Sequence, residues 1–313
     1  MSKYFDSKSR TFMEPEVVEH GRHMVMTNVH KDTKVQYVNI DTRFQEEYHK
    51  EKYASVQCKL PQAVTNVKSI KVVSGEIPFS FYNFSTQRQN AFFTIQKNSD
   101  APILIHIDDG HYADMTSLAA EIDSKFISLT NTASSTTGDL VLTVNTATYK
   151  VNIRNSSSNT YTIRFNVDKN GAEDKYSLKT KLGWALGYRE PMYTLASGDS
   201  IDSETFLNIH PFRYLNLSID EFSSSKSNSF LTPSFQSYMD SNVLARISLD
   251  PNAYQFGSII SVNLNGGKLF SDVRSYNGKT DIQRLHIQLL DEEGRQVDLN
   301  RMDFSFLLEI EYI

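Results

Sequence analysis

Apolar and polar residues alternate along much of the chain from Val35 onward. In several segments every second residue is apolar: Val56 to Leu60, Ile70 to Val72, Phe93 to Ile95, Leu215 to Ile219 and Val243 to Leu249. A period of two puts the apolar side chains on one face of a β-strand. The clearest case comes last, where one face would hold Phe304, Phe306, Leu308, Ile310 and Tyr312. We therefore predict strands with one buried face, the last of them paired within a sheet.

Turn residues separate several of these segments. Gly294 ends the run Asp291-Glu292-Glu293-Gly294 and can adopt the left-handed conformation of a short hairpin loop. Asn265-Gly266-Gly267 ends another predicted strand. The run Tyr276-Asn277-Gly278 predicts a further turn, flanked by Arg274, Asp281 and Arg284.

Two segments show a helical pattern instead. Met115 to Ile127 places Leu118, Ile122 and Phe126 on one face, with Asp114 or Thr116 as the N-cap. Ser177 to Leu186 predicts a shorter helix. Between the two lie LVLTV, TYKVNI and YTIRFNV, which predict a small three-stranded meander.

Many short strands, polar loops and few helices favour a mainly all-β sandwich. Periodicity alone leaves jelly-roll and immunoglobulin-like topologies open. We expect an N-terminal arm at 1–34 and a body at 35–313, with a helix-plus-hairpin insertion at about 108–190. The segments NTASSTTG (131–138) and SSSKSNS (223–229) predict polar loops.

Composition narrows the function. The chain has 313 residues and a net charge of −5, without a run of Lys or Arg, which disfavours direct nucleic-acid binding. Cys58 is the only cysteine, so no internal disulfide can form, as in proteins of reducing compartments. The first residues lack a signal-peptide pattern, and no stretch reaches the roughly 18 apolar residues that a transmembrane helix needs. We expect a soluble chain.

One pattern suggests metal chemistry. His106 and Asp108 would share a strand face, and with His210 or His286 they would match the ligand set of non-haem iron oxygenases. The alternative is that this segment closes a strand and turns, through Asp109-Gly110 and His111, into the helix. We favour the turn, and predict no metal or other cofactor. His20 and His23 have helical spacing but no further ligand nearby.

Other candidate groups are weak. Cys58 alternates with Val56 and Leu60, which predicts a small buried side chain rather than a reactive thiol. Trp184 could stack on a sugar or base, but more often such a residue anchors a short helix. The carboxylates of Asp291, Glu292 and Glu293, like the pair Glu46-Glu47, predict solvated surface. The sequence contains no GxSxG, P-loop or GxGxxG motif, so we predict no enzyme.

The C-terminal block at 263–312 resembles jelly-roll capsid proteins of nucleocytoplasmic large DNA viruses. The elements that carry this resemblance are Asp281-Ile-Gln-Arg-Leu285, Gln288-Leu-Leu-Asp291, Gly294, Val297-Asp-Leu-Asn300 and Asp303-Phe-Ser-Phe306. N-terminal elements agree: Ile40-Asp-Thr-Arg43, Leu60-Pro61, Asn66-Val67, Gly75-Glu-Ile-Pro78 and Phe81-Tyr82-Asn83-Phe84. Leu182-Gly183-Trp184 is similar to a Leu-Gly-Phe element of these proteins, with Trp in place of Phe.

The resemblance implies a single jelly-roll subunit of an icosahedral shell, with no catalytic residue. Its position would be the penton at the five-fold vertices, or a minor capsid protein beneath the major shell. The implied partners are further copies of the chain, as a homopentamer, and other capsid proteins, in a virion assembled from protein made in the host cytoplasm. The signature residues taken as assembly candidates are Arg274, Tyr276, Asp281, Arg284, Asp291, Asp298 and Asn300. A lectin-like or receptor-binding jelly roll is the alternative binding function.

Overall fold

A computed structural model of the chain describes residues 16–20, 23–27, 32–45, 54–129, 138–175, 177–210, 212–227, 242–250 and 253–313. The first strands are β1 (Glu16–His20), β2 (His23–Thr27), β3 (Lys34–Asp41), β4 (Ser55–Pro78), β5 (Phe92–Lys97), β6 (Ile103–His106), β7 (Leu140–Val144), β8 (Val151–Asn155) and β9 (Tyr161–Arg164). The remaining strands are β10 (Met192–Leu195), β11 (Ser200–Asp202), β12 (Tyr214–Asp220), β13 (Lys226–Ser227), β14 (Val243–Ser248), β15 (Ile259–Asn263), β16 (Leu269–Ser271), β17 (Arg274–Leu290) and β18 (Ser305–Tyr312). The helices are α1 (Met115–Leu129) and α2 (Leu182–Leu186), and single 3-10 turns span Thr42–Phe44, Leu178–Thr180 and Leu264–Gly266.

The largest sheet is antiparallel and encloses the main core. Its strands run in the order β16-β14-β12-β17-β4-β18-β3, with β13 paired to β17 and β15 paired to β4. Buried apolar residues from these strands form one continuous cluster. In β18 the buried residues are Phe306, Leu308 and Ile310, so the alternation predicted for the last strand is confirmed.

Two strands of this sheet are unusually long. β4 continues through Pro61 to Pro78, so two predicted strands form one. β17 continues through Gly278, so the predicted turn at Tyr276-Asn277-Gly278 is wrong. The register between the two strands shifts at several points, which marks β-bulges. Gly278 has φ 111° and Asn66 has φ 55°, the left-handed conformations that let each strand absorb extra residues without ending.

A second core lies between β4 and β12 in the sequence. It comprises apolar residues from Phe84 to Leu207, which come from two further antiparallel sheets and from the two helices. One sheet has the order β10-β9-β5-β6 and the other β11-β8-β7. This second core therefore draws on a longer stretch than the 108–190 of the sequence prediction.

The helix predicted at Met115 to Ile127 is confirmed as α1. Leu118, Ile122 and Phe126 are its buried residues, and the Asp114 carboxylate accepts a hydrogen bond from the Ser117 amide, at 2.7 Å, as the N-cap. The second predicted helix is divided, because Lys181 is extended between the 3-10 turn and α2.

The predicted meander holds only for its first two strands. β7 pairs with β8, whereas β9 pairs with β5 and β10 in the other sheet. Asn155, at the end of β8, is fully buried, and its side-chain amide donates to the Asn159, Leu195 and Ala196 carbonyls. These bonds hold a corner at which the chain leaves one sheet for the other.

The mainly β prediction is confirmed, since curled antiparallel sheets dominate the fold and helices are few. Within the expected arm at 1–34, the backbone of β1 and β2 forms an antiparallel hairpin with Val18 opposite Val25. The rest of that segment before residue 32 lies outside the described residues, as do residues 131–137 and 228–229 of the two polar loops.

Candidate assembly surfaces

The signature residue Arg274 lies inside the molecule. Its guanidinium forms an ion pair with the Glu221 carboxylate at 2.8 Å and donates to the Ile219, Asn242 and Val243 carbonyls. Arg274 therefore does not flank a surface turn, because it belongs to a long strand and faces inward. The group locks β17 to β12 and β14.

Tyr276 is also buried, two residues along the same strand. Burial raises the pKa of its hydroxyl, and the nearby Glu221 charge acts in the same direction. Arg274 and Tyr276 thus make intramolecular contacts and present little surface to a partner.

Asp281 and Arg284 remain on the outside of β17. The Asp281 carboxylate accepts a hydrogen bond of 2.9 Å from the Asn66 amide, which supports the left-handed residue in the β4 bulge. Arg284 is exposed and lies directly opposite Lys59 of β4. Of the seven signature candidates, these two are the exposed ones.

The turn after β17 is partly buried, contrary to the expectation of solvated carboxylates. The Asp291 side chain is 4% exposed, accepts from the Glu293 and Arg295 amides, and pairs with the Arg295 guanidinium at 2.9 Å. Gly294 has φ 79°, which confirms the predicted hairpin conformation. The Glu292 carboxylate pairs with Arg213 at 2.8 Å. Asp291 is thus the internal anchor of the turn.

Asp298 and Asn300 support the next segment. Asp298 accepts from the Asn300 amide at 2.8 Å, and the Asn300 side chain donates to the Ser80 carbonyl. Ser80 in turn donates its hydroxyl to the Leu299 carbonyl at 2.6 Å. These signature residues therefore fasten the C-terminal segment to the chain that follows β4.

A cleft of about 770 Å³ lies beside this segment. It is lined by Phe81, Phe212 and Val297 of the main core and by residues 85–89, 109 and 168–169 from the stretch between β4 and β12. The Arg88 guanidinium lies over the Phe212 ring, 4.2 Å from its centroid. The backbone carbonyl of Arg88 accepts a hydrogen bond from the Arg295 guanidinium. Burial lowers the pKa of Arg88 to about 10, and the positive charge of Arg295 contributes to this. The cleft holds mutually compensating charges and, among its lining residues, neither His nor Cys. Among its lining hydroxyls, that of Thr86 donates to the Asp109 carboxylate at 3.0 Å.

Asn83 joins three crossings of the chain between the two cores. The side-chain NH2 group of Asn83 donates to the backbone carbonyls of Tyr112 and Ile209 at 2.8 and 2.9 Å. Its side-chain oxygen accepts a hydrogen bond from the backbone N–H of Tyr112 at 2.9 Å. The side chain is almost fully buried. Sequence reasoning did not single out this role, and its only signal was a lone amide among three aromatic residues in Phe81-Tyr82-Asn83-Phe84.

His111 packs in an apolar recess of about 410 Å³ near this junction. Its ring stacks on Phe256 at 4.5 Å and meets the edge of Phe79 at 5.3 Å. Burial lowers the pKa of the imidazole. His111 therefore acts as an aromatic packing residue that favours its neutral form.

The His106–Asp108 pair is occupied by local contacts. The His106 ring nitrogen lies 2.8 Å from the Thr86 hydroxyl, and Lys125 of α1 donates to the Asp108 carboxylate at 2.8 Å. This hydrogen bond and the Lys125 charge lower the pKa of Asp108. His286 contacts the Ser55 hydroxyl instead. In the part of the chain that the structure describes, no cluster of three or more His, Cys, Asp or Glu residues could hold a metal ion.

Trp184 and Cys58 also have intramolecular roles. The Arg189 guanidinium lies 3.9 Å from the centroid of the Trp184 ring and donates to the Trp184 carbonyl. One ring face is therefore covered by a cation of the same chain. Cys58 is half-buried against the main core, and burial raises the pKa of its thiol, which disfavours the thiolate.

Two pairs of residues considered in the sequence analysis lie wholly or partly outside the residues that the structure describes. The backbones of His20 and His23 lie opposite each other in the β1–β2 hairpin. Their side chains lie outside the part of the chain that the structure describes. Glu46 and Glu47 lie outside the described residues. No helix within the described ranges is both long enough and apolar enough to cross a membrane.

The outer face of β3 and β18 combines apolar and acidic side chains. Val35 and Tyr37 of β3 are 52% and 58% exposed and lie opposite Glu311 and Glu309 of β18. Lys71 of β4 pairs with Glu309 at 2.9 Å. In the sheet order, β3 is the terminal strand, so this face adjoins an edge. Exposed apolar side chains beside such an edge are typical of a contact surface.

Comparisons with known proteins give structural matches only. No protein-family model matches the chain, and no curated protein does. The chain is similar to the mavirus penton protein, whose crystal structure is 12% identical, with 90% of this chain and 100% of that chain covered and a TM-score of 0.47. It is also similar to a chain of the Sputnik virophage cryo-EM structure, at 12% sequence identity and a TM-score of 0.43. That match covers 89% of this chain and 98% of the virophage chain. Likenesses of this size do not assign the chain to a family.

Proposed function

We propose that this chain is a structural subunit of an icosahedral viral capsid, and specifically the penton protein at the five-fold vertices. The observation that carries the proposal is the signature block at 263–312. This block folds into β17, its buried turn and β18, three consecutive parts of the body that surround the main core. The residues of the block make contacts that hold the sheet together, as expected for a shell subunit with a structural function.

The described side chains support an assembly role over an enzymatic one. The candidate ligands His106 and Asp108 are tied to Thr86 and Lys125. The large cleft pairs its charges internally, and the half-buried Cys58 thiol is disfavoured as a thiolate. We therefore treat the chain as a non-enzymatic component of the virion, made in the host cytoplasm and bound to other capsid proteins rather than directly to nucleic acid.

The domain organisation forms part of the proposal. Residues 1–34 would act as an arm, and the body would comprise the strands around the main core. The stretch from about 84 to 209 would be a unit inserted between β4 and β12, because it supplies the second core. Asn83 and the Asp291 turn would hold this unit to the body.

The test is the oligomeric state and location of the full chain. Native mass spectrometry of purified protein should show five copies, and antibody labelling of virions should mark the vertices. Labelling spread over the facets would identify a minor capsid protein instead. A stable monomer that binds glycans in an array would support the receptor-binding alternative and contradict the capsid proposal.

A further inference from the structure

Two positive side chains face each other across the outer surface of the body. Lys59 of β4 and Arg284 of β17 are direct partners in the antiparallel register, and both are exposed. Like charges at directly opposite positions destabilise a strand pair. The next pair on this face, Gln57 and His286, has no carboxylate of its own. Asp220 of β12 lies opposite His286, but its carboxylate pairs with Lys226 at 2.9 Å. A locally unfavourable arrangement of this kind suggests that a negative group is supplied from outside the sheet.

Some other cations on the molecule pair with a carboxylate of the same chain. Arg213 pairs with Glu292 at 2.8 Å, and Lys71 pairs with Glu309 at 2.9 Å. Within the ranges that the structure describes, neither Lys59 nor Arg284 forms such an ion pair. The two therefore form a positive patch on an otherwise acidic chain, whose net charge is −5.

The complementary surface lies on the same chain. Glu309 and Glu311 are alternate residues of β18 and share its outer face, beside the exposed Val35 and Tyr37 of β3. Lys71 offsets part of this charge through Glu309. Among the described residues, the partner of the Glu311 carboxylate is a neutral hydroxyl, that of Ser69, at 2.9 Å. The strip keeps a net negative charge next to an apolar border, and we call it the β18 strip.

We propose that the Lys59–Arg284 pair of one subunit docks on the β18 strip of a second copy. The two patches differ, so the contact is heterologous and can close into a ring. Val35 and Tyr37 would supply apolar contact, and the charges would set the orientation and the rate of encounter. This inference rests on the proposed function, because it specifies the contact by which the subunits would assemble.

A second copy fits these observations better than nucleic acid does. A nucleic-acid surface requires a broad set of cations that neutralise several phosphates. Here the positive patch has two residues, and its counterpart is present on the chain itself. The contact should therefore weaken as salt is raised, because exposed charges are screened.

The decisive experiment is a charge swap in the full chain. Arg284→Glu should reduce self-association at least tenfold in light-scattering and native mass-spectrometry titrations, and Glu311→Lys should do the same. The double variant that carries both changes should recover most of the association. Arg154→Glu is the matched control, because Arg154 is exposed on β8 in the second-core region and belongs to neither patch. Circular dichroism should show all variants folded.

Each result decides between the proposals. If the unchanged chain does not self-associate, both the capsid-subunit proposal and this contact fail. If it assembles and Arg284→Glu assembles equally well, only the contact is wrong. Equal losses in Arg284→Glu and Arg154→Glu, or no recovery in the double variant, would likewise overturn the pairing. Retention on immobilised duplex DNA that depends on Arg284, with assembly unchanged, would replace the second copy by nucleic acid.

Discussion

The Arg274 guanidinium and the Glu221 carboxylate form an ion pair of 2.8 Å in the interior of the body. Their side chains are 2% and 0% exposed, and Arg274 also bonds backbone carbonyls of β12 and of the start of β14. The sequence places these two residues 53 positions apart. Their contact therefore forms only when β17 is correctly paired with β12, although the two strands are far apart in the sequence.

Arg274→Met should destabilise the fold by about 3–5 kcal/mol, because it leaves the Glu221 charge buried without its partner. Chemical unfolding followed by fluorescence would measure this loss. Arg43→Met is the control, since the Arg43 side chain is 65% exposed and an exposed ion pair such as that with Asp41 contributes little to stability. Equal unfolding midpoints for the two variants would contradict a structural role for Arg274.

Asn83→Ala should loosen the junction between the two cores. The variant loses one acceptor and both donors, and leaves the Tyr112 and Ile209 carbonyls without that partner. Each buried group left unpaired costs about 1–3 kcal/mol. Hydrogen exchange should increase around Tyr112 and Ile209, whereas Asn152→Ala, which removes an exposed bond to Asp202, should leave exchange there unchanged.

Gly183→Ala should destabilise the second core. A Cβ atom at this position would overlap the ring of Phe165, which is buried in the second core. Overpacking of this kind costs about 1–3 kcal/mol. Gly110→Ala is the matched change, because the nearest atom to its Cβ would be 3.7 Å away. The two thermal midpoints should therefore differ clearly, with Gly110→Ala close to the unchanged chain.

Stability should fall on acidification, partly through His111. Burial lowers the pKa of this imidazole below its ordinary value of 6.5, so the unfolded chain binds the proton more readily. The stabilisation is complete above pH 6.5 and is lost as the pH falls toward the pKa of the folded state. Thermal melts from pH 7.5 to 5 should show a smaller decline for His111→Phe than for the unchanged chain. Parallel declines would exclude His111 as the cause.

Deleting the arm should separate folding from assembly. Because β3 begins at Lys34, the deletion should remove residues 1–32 and keep that strand. The truncated chain should remain folded by circular dichroism but assemble poorly into particles. Particles formed at the normal yield would show that the arm has no part in assembly.

The sequence predicted best where side chains alternate over a long stretch without interruption. β18 and α1 follow directly from Phe306, Leu308 and Ile310 and from Leu118, Ile122 and Phe126. Gly294 likewise indicated its turn, because a left-handed residue was required there. In each case the information is local and the tertiary structure agrees with it.

The sequence predicted poorly where tertiary contacts override local signals. Pro61 and Gly278 both suggest breaks, yet β4 and β17 continue past them because bulges absorb the extra residues. The inward direction of Arg274 depends on Glu221, which lies on another part of the chain. The Lys59–Arg284 pair could not be predicted from the sequence either, because these residues meet only through the register of β4 and β17.

The pairing of β18 with both β3 and β4 also has a consequence for the time course of folding. Thr42 bonds Asp303 across 261 residues of sequence, so the sheet cannot close until residues 305–312 have been synthesised. The second core depends on contacts within residues 84–209 and can form while the remainder is still being translated. Closure of the main sheet should be the slow step, because it brings together segments far apart in the chain. Until then β3 and β4 expose unpaired edges, so cells that express this protein should accumulate aggregates chiefly from chains that stop before β18.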